Sequence, residues 1–160
     1  SGHRTIVSFR GASGIDGTLS LAAGIAQQWQ RLVLVSGDLA LLHDANGWLW
    51  RRQLSAELRI VLIDNAGGGV FEQLPIPRQS IDFDRLFAMP QSCDAMALAA
   101  AHGVAARDCS AMETLADELQ WLLEPGDAIR LLRCSTDRGR DAQLRQQLRD
   151  KPWWEQTPAP

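Results

Sequence analysis

The sequence predicts an α/β domain, a three-layer sandwich in which helices cover both faces of a mainly parallel sheet. Three observations carry that prediction. Short runs at 31–36, 58–63 and 128–134 are dominated by Leu, Ile and Val, the pattern of strands buried on both faces. The stretches between them carry apolar residues at the three- and four-residue spacing of helices. The chain has 160 residues, 46% of them hydrophobic, enough for one domain with a full core. Strands that alternate with helices imply a parallel sheet.

The elements follow in order. Residues 5–9 read as a strand and 10–17 as a glycine-bearing turn. Leu19, Ala22, Ala23 and Ala26 predict a helix over 18–29. A strand at 31–36 is followed by a helix over 38–52, with Leu41, Leu42, Ala45, Leu49 and Trp50 partly in phase. A strand at 58–63 precedes a glycine run. Two prolines, Pro75 and Pro77, make 72–79 a loop. A short helix is expected at 83–88, and another at 93–102 that stops at Gly103. A short strand is expected at 104–107. Ser110 and Glu113 form a capping box for a helix over 110–123. Pro125-Gly126 make a turn, 128–134 a strand, and 137–150 a polar helix. Residues 1–151 thus form one domain, and 152–160 a tail.

Composition excludes several function classes. The net charge is −3, which gives no broad basic face for nucleic acid or an anionic membrane. Lys151 is the only lysine among 16 basic residues, so Schiff-base chemistry has no donor unless that residue serves. Cys93, Cys109 and Cys134 are odd in number and lack C-x-x-C spacing. Zinc and disulfide readings are therefore poor, and a reduced, cytoplasmic compartment is expected. Cys134 reads as a small core residue. No run approaches a membrane span. Trp48, Trp50 and Trp121 read as core or interface anchors. Arg130, Arg133, Arg138, Arg140, Arg145 and Arg149 read as a solvated face.

Two motifs carry the chemistry. Ser36-Gly37-Asp38-Leu39 ends one predicted strand, and Asp64-Asn65-Ala66-Gly67-Gly68-Gly69 ends the next. Ligands bind beyond the carboxyl ends of parallel strands. Mg2+ takes hard oxygen ligands and commonly shares itself with phosphates. Asp38 can give a carboxylate oxygen, Asn65 an amide oxygen and Gly67 a backbone carbonyl. The helix that begins at Asp38 can also receive a phosphate on its free N–H groups. Alone, Asp38 equally reads as a helix cap and the glycines as a turn. A dinucleotide fingerprint is absent, because the glycine run lacks G-x-G-x-x-G.

Longer motifs add a resemblance. Arg10-Gly-Ala-Ser-Gly-Ile-Asp-Gly17, Gly37-Asp-Leu39, His43-Asp-Ala-Asn-Gly47 and Asp64-Asn-Ala-Gly-Gly-Gly-Val-Phe71 with Leu74-Pro75 are similar to the C-terminal domain of the SEPHCHC synthase family. Leu86-Phe-Ala-Met-Pro90 and Ala99-Ala-Ala-His-Gly103 continue the pattern. The resemblance covers nearly the whole chain up to the tail. It implies a thiamine diphosphate-binding (PP-type) domain of an enzyme of menaquinone and phylloquinone biosynthesis. Such an enzyme decarboxylates 2-oxoglutarate and adds the resulting succinyl carbanion equivalent to isochorismate. It also implies Mg2+ or Mn2+, N-terminal and central domains of the same enzyme, and a homo-oligomer with its active site between subunits.

The resemblance assigns residues as well. Asp38, Asn65 and Gly67 match metal ligands. Ser13, Ile15 and Leu39 match cofactor contacts, with Ile15 the apolar wedge that bends the cofactor. Arg10 matches a substrate-carboxylate ligand, a task suited to a planar fork. Val70, Phe71 and Leu74 match the apolar wall of the substrate pocket. Asp64, Ala66 and Val70 depart from the usual Asn, polar residue and Ile, and none of the three is an assigned metal ligand. The family's activating glutamate lies outside the matched segment, so the 160-residue piece is expected to have no turnover. A bare pocket wall makes self-association or disorder the expectation for 68–78. Two other readings remain open: another thiamine diphosphate carboligase or decarboxylase, and a non-catalytic binding or assembly domain.

Overall fold

The computed structural model describes residues 5–8, 14–75 and 82–150. A four-stranded parallel sheet, in the order β1-β2-β4-β3, forms its middle layer. The strands are β1 (Arg31–Gly37), β2 (Glu57–Asp64), β3 (Ala105–Cys109) and β4 (Ile129–Ser135). The helices are α1 (Thr18–Trp29), α2 (Asp38–His43), α3 (Ala95–Ala101), α4 (Leu115–Leu123) and α5 (Arg138–Asp150).

Side-chain alternation sorts the core into two clusters, one on each face of the sheet. Leu58, Ile60 and Leu62 of β2 pack with Leu34, Ile129 and Leu131 against α1, α3 and Trp48. Leu132 packs with Val61 and Cys134 against Leu122, Leu119 and Trp121 of α4. The second face is not covered over β1, where Val33 and Val35 are 46% and 66% exposed. The helix expected at 18–29 forms with those bounds, and Leu19, Ala22, Ala23 and Ala26 are all buried. Cys134 is partly buried, beside buried Cys109 on the neighbouring strand. Burial pushes its thiol pKa up, the state of an inert core cysteine.

Several expectations need correction. Thr5–Ser8 form no strand; they line a hollow beside β1 without joining its ladder. The helix expected over 38–52 is broken into α2 and a 3₁₀ segment, Ala45–Arg52. The cause is tertiary. The Asp44 carboxylate leaves the helix pattern to accept the Ser20 amide at 2.7 Å and the Ser20 hydroxyl at 3.2 Å. Gly47 then sits against Leu19, where a Cβ would come within 2.9 Å of the leucine side chain. The capping box at Ser110 does not form. A 3₁₀ turn, Met112–Thr114, leads into α4, and neither helix has a side-chain cap hydrogen bond.

Of the stretch read as a loop, Glu72 and Gln73 end a 3₁₀ turn, Gly69–Gln73, and residues 76–81 lie outside the described set. Asp84–Ala88 is helical, wound as a single wide π turn. Trp48 is buried, Trp50 is 53% exposed, and the guanidinium groups of Arg107 and Arg130 lie 4.5 and 5.3 Å from the centre of the Trp121 ring. The tail at 152–160 lies outside the described residues.

The arginines expected on a solvated face divide. Arg130 is buried and hydrogen-bonded to the Trp121 carbonyl at 2.6 Å. Arg133 meets Asp108 at 2.7 Å, and Arg138 meets Glu72 at 3.1 Å. Arg149 donates to the Gln73 side chain at 2.6 Å. Arg140 and Arg145 are exposed. The carboxylates that capture Arg133 and Arg138 come from other segments, Asp108 from β3 and Glu72 from the 3₁₀ turn, which local periodicity does not register.

Candidate functional site

Strand register brings the two motifs together. Gly37 of β1 lies opposite Ile63 of β2, so Asp38 and Asp64 leave neighbouring strands at the same level. The chain reverses sharply after Asp64. Ala66 has φ +59° and Gly67 φ +121°, both left-handed. A Cβ on Gly67 would fall 2.1 Å from the Ala88 carbonyl oxygen, so only glycine fits there.

Asp38 closes the arrangement. Its Oδ2 accepts a hydrogen bond from the Gly67 amide at 2.7 Å. The side chain is buried, and burial pushes its carboxyl above the usual aspartate range. The amides of Leu39 and Gly67 pull the other way, and the charge of nearby Asp64 adds to the rise. Asn65 Oδ1 is buried and has no hydrogen-bond partner among the described residues. A buried acceptor left without a donor is a costly arrangement unless a donor or cation joins it.

The remaining expected residues divide. Leu39 is partly buried at the start of α2. Val70, Phe71 and Leu74 follow the glycine run and are exposed, at 62%, 37% and 48%. Phe71 packs edge-on to Phe87, ring centroids 6.0 Å apart. Ile15 is exposed, and its carbonyl accepts from the Thr18 hydroxyl at the start of α1. Arg10 and Ser13 lie outside the described residues.

Sequence reasoning missed the charged groups that hold this loop. Arg133, at the end of β4, reaches Asp108 at 2.7 Å, Asp94 at 3.7 Å and Asp64 at 4.0 Å. The Asp108 hydrogen bond raises its pKa against the opposing effect of burial. Arg138 donates to the Ala66 carbonyl at 3.1 Å. One signal pointed to Arg138. It begins a helix, where a cation runs against the helix dipole and so needs another reason to be there.

No protein-family model matches the chain. It is 94% identical over 160 residues to 2-succinyl-5-enolpyruvyl-6-hydroxy-3-cyclohexene-1-carboxylate synthase of Synechococcus sp. strain RCC307, which covers all of this chain and 28% of that protein. It is 58% identical over 147 residues to the protein of the same name from Parasynechococcus marenigrum strain WH8102, covering 92% of this chain and 26% of that one. Among solved structures, benzoylformate decarboxylase from Polynucleobacter necessarius superposes with a TM-score of 0.62 and 16% identity, over 75% of this chain and 23% of that one. That likeness shows the fold, an α/β sandwich. The identity over the full chain is decisive for the family: the chain belongs to the 2-succinyl-5-enolpyruvyl-6-hydroxy-3-cyclohexene-1-carboxylate synthases and spans about a quarter of the length of these curated relatives.

Proposed function

We propose that this chain is the diphosphate- and cation-binding domain of a decarboxylating carboligase. The reaction would consume 2-oxoglutarate, release carbon dioxide and add the succinyl unit to isochorismate, with thiamine diphosphate and Mg2+ or Mn2+ as cofactors. One observation carries the reading. The hydrogen bond from the Gly67 amide to Asp38 brings two strand-end loops together beside the partnerless Asn65 Oδ1.

The residues present fit the group. Asp38, Asn65 and the Gly67 carbonyl offer three hard oxygens. The Gly67 carbonyl accepts from the Gly69 amide at 2.8 Å and keeps a second lone pair. Among the described residues no three His, Cys, Asp or Glu side chains are grouped to hold a metal. The proposed donor set contains one such side chain, so the cation would depend on the diphosphate for further ligands. When bound, thiamine diphosphate supplies the electron sink for loss of carbon dioxide.

The chain's own residues have distinct tasks. Asp38 holds the Asn65 loop closed and presents its charge to the cation. Ile15, Ser13 and Leu39 would help to hold thiamine diphosphate, Ile15 through its apolar side chain. Arg10 binds a substrate carboxylate, while Val70, Phe71 and Leu74 exclude water from the reacting carbon. Exposure of those three apolar residues supports a wall completed by another domain or subunit.

The test uses the full-length protein that carries this chain. Carbon dioxide release from 2-oxoglutarate, with isochorismate consumed in step, is the expected outcome. Turnover of pyruvate alone would assign a different carboligase. The isolated 160-residue chain is expected to show no turnover with either substrate.

A further inference from the structure

The side chain of Arg138 joins three separate segments. Its Nη1 donates to the Ala66 carbonyl at 3.1 Å, in the loop between Asn65 and Gly67. Its Nε faces Glu72 Oε1 at 3.1 Å, in the 3₁₀ turn that carries Val70 and Phe71. Its Nη2 is hydrogen-bonded to Asp84 Oδ1, at the start of the π turn that packs on Gly67 and Gly68. Glu72 is nearly buried and Arg138 itself is mostly covered, so the fork is held in one orientation. Arg149, at the far end of α5, grips the next residue of the same 3₁₀ turn, Gln73.

Ala66 makes this arrangement informative. It adopts a left-handed conformation without being glycine. Such a residue persists only where its surroundings hold it. Arg138 is the side chain that fixes its carbonyl, one residue from each of Asn65 and Gly67.

We infer that Arg138 is a positioning residue: it sets the geometry of the Asn65–Gly67 cation loop and locks that loop to the pocket wall through Glu72 and Asp84. The inference rests on the proposed cation–diphosphate role of that loop. Arg138 touches neither cation nor substrate and acts through Ala66. A lysine has one charged centre and no planar fork, so it cannot serve all three acceptors together.

The experiment compares full-length wild type, R138A, R138K and E72Q. Mg2+ binding in the presence of thiamine diphosphate is measured by calorimetry. Amide hydrogen exchange of the 65–73 segment is measured without either ligand. The R138A substitution should weaken Mg2+ binding by about tenfold or more, the usual effect of removing a partner that orients a ligand. It should also speed exchange at the Gly67 and Gly69 amides, while kcat at saturating Mg2+ and cofactor changes far less than the binding constant. R138K should recover only part of the affinity. E72Q, which keeps the shape of its side chain, should shift binding in the same direction by less. Unchanged Mg2+ affinity and unchanged loop exchange in R138A would overturn the inference. If wild type shows no Mg2+-dependent cofactor binding, the proposed function fails instead. Loop exchange in R138A then decides the positioning role alone.

Discussion

The carboxylate of Asp38 and the backbone amide of Gly67, which leave different strands, meet at 2.7 Å in a buried setting. Both the approach of the loops and the charge of the site depend on this pair. In Asp38→Ala the amide would be left unpaired, at a cost of about 1–3 kcal/mol. In the proposed donor set the cation would also lose its one carboxylate. Full-length D38A should therefore show no Mg2+ binding at concentrations that saturate wild type, together with a lower denaturation midpoint. D38N keeps an oxygen without the charge and should fall between the two. Wild-type Mg2+ affinity in D38A would remove Asp38 from the ligand set.

Two glycines separate backbone necessity from composition. Gly67→Ala must place a methyl group 2.1 Å from the Ala88 carbonyl and adopt φ +121°. Since neither backbone can yield cheaply, a loss of about 2 kcal/mol or more is expected. Gly24, inside α1, has open space where its Cβ would stand. Gly24→Ala should stabilise the chain by up to about 1 kcal/mol. Urea midpoints of the two variants should move in opposite directions.

These cases show what was legible in the chain. Residues 18–29 announce a helix because their apolar spacing and their burial obey the same period, and Ala22, Ala23 and Ala26 all face the sheet. That the loops carrying Asp38 and Gly67 meet could be expected because parallel strands deliver their carboxyl ends to one edge. The break at Asp44 could not be read, since its cause is the amide of Ser20, 24 residues earlier. Arg138 gave one signal, its place at a helix start, but its partners could not be read for the same reason. Its acceptors at positions 66, 72 and 84 belong to other segments, and local pattern assigns the arginines of a polar helix to solvent.

Arg59 is the clearest such concealment, for it interrupts an apolar strand yet its side chain is 0% exposed. Its Nη1 donates to the Asp127 carbonyl at 2.7 Å and its Nη2 to the Glu124 carbonyl at 3.0 Å, while Glu57 supplies a counter-charge at 3.1 Å. Burial lowers its pKa, against the raising effect of Glu57. Removing the side chain would take the donor from the Asp127 and Glu124 carbonyls and open a cavity. Arg59→Ala should cost about 3–5 kcal/mol. Arg59→Met, which fills much of the volume, should cost less, and denaturant titration of both variants separates packing from charge.

Glu57 completes that cluster and gives it a pH dependence. Burial alone would raise its pKa, but the Arg31 hydrogen bond and the charges of Arg59 and Arg31 outweigh it and hold the carboxyl below the ordinary glutamate range. Arg31 Nε lies 2.6 Å from Glu57 Oε2. The sign follows from linkage. A group with a lowered folded-state pKa contributes stability that is complete above its unfolded value, roughly 4.3 for glutamate. That contribution is lost as pH falls through the lower folded value, because the unfolded chain binds the proton first. Glu57→Gln keeps the shape and abolishes the titration. Denaturant midpoints should therefore separate wild type from E57Q at neutral pH and converge as the solution is acidified below the glutamate range. A constant difference between them at all pH values would mean that the Glu57 charge contributes nothing to it.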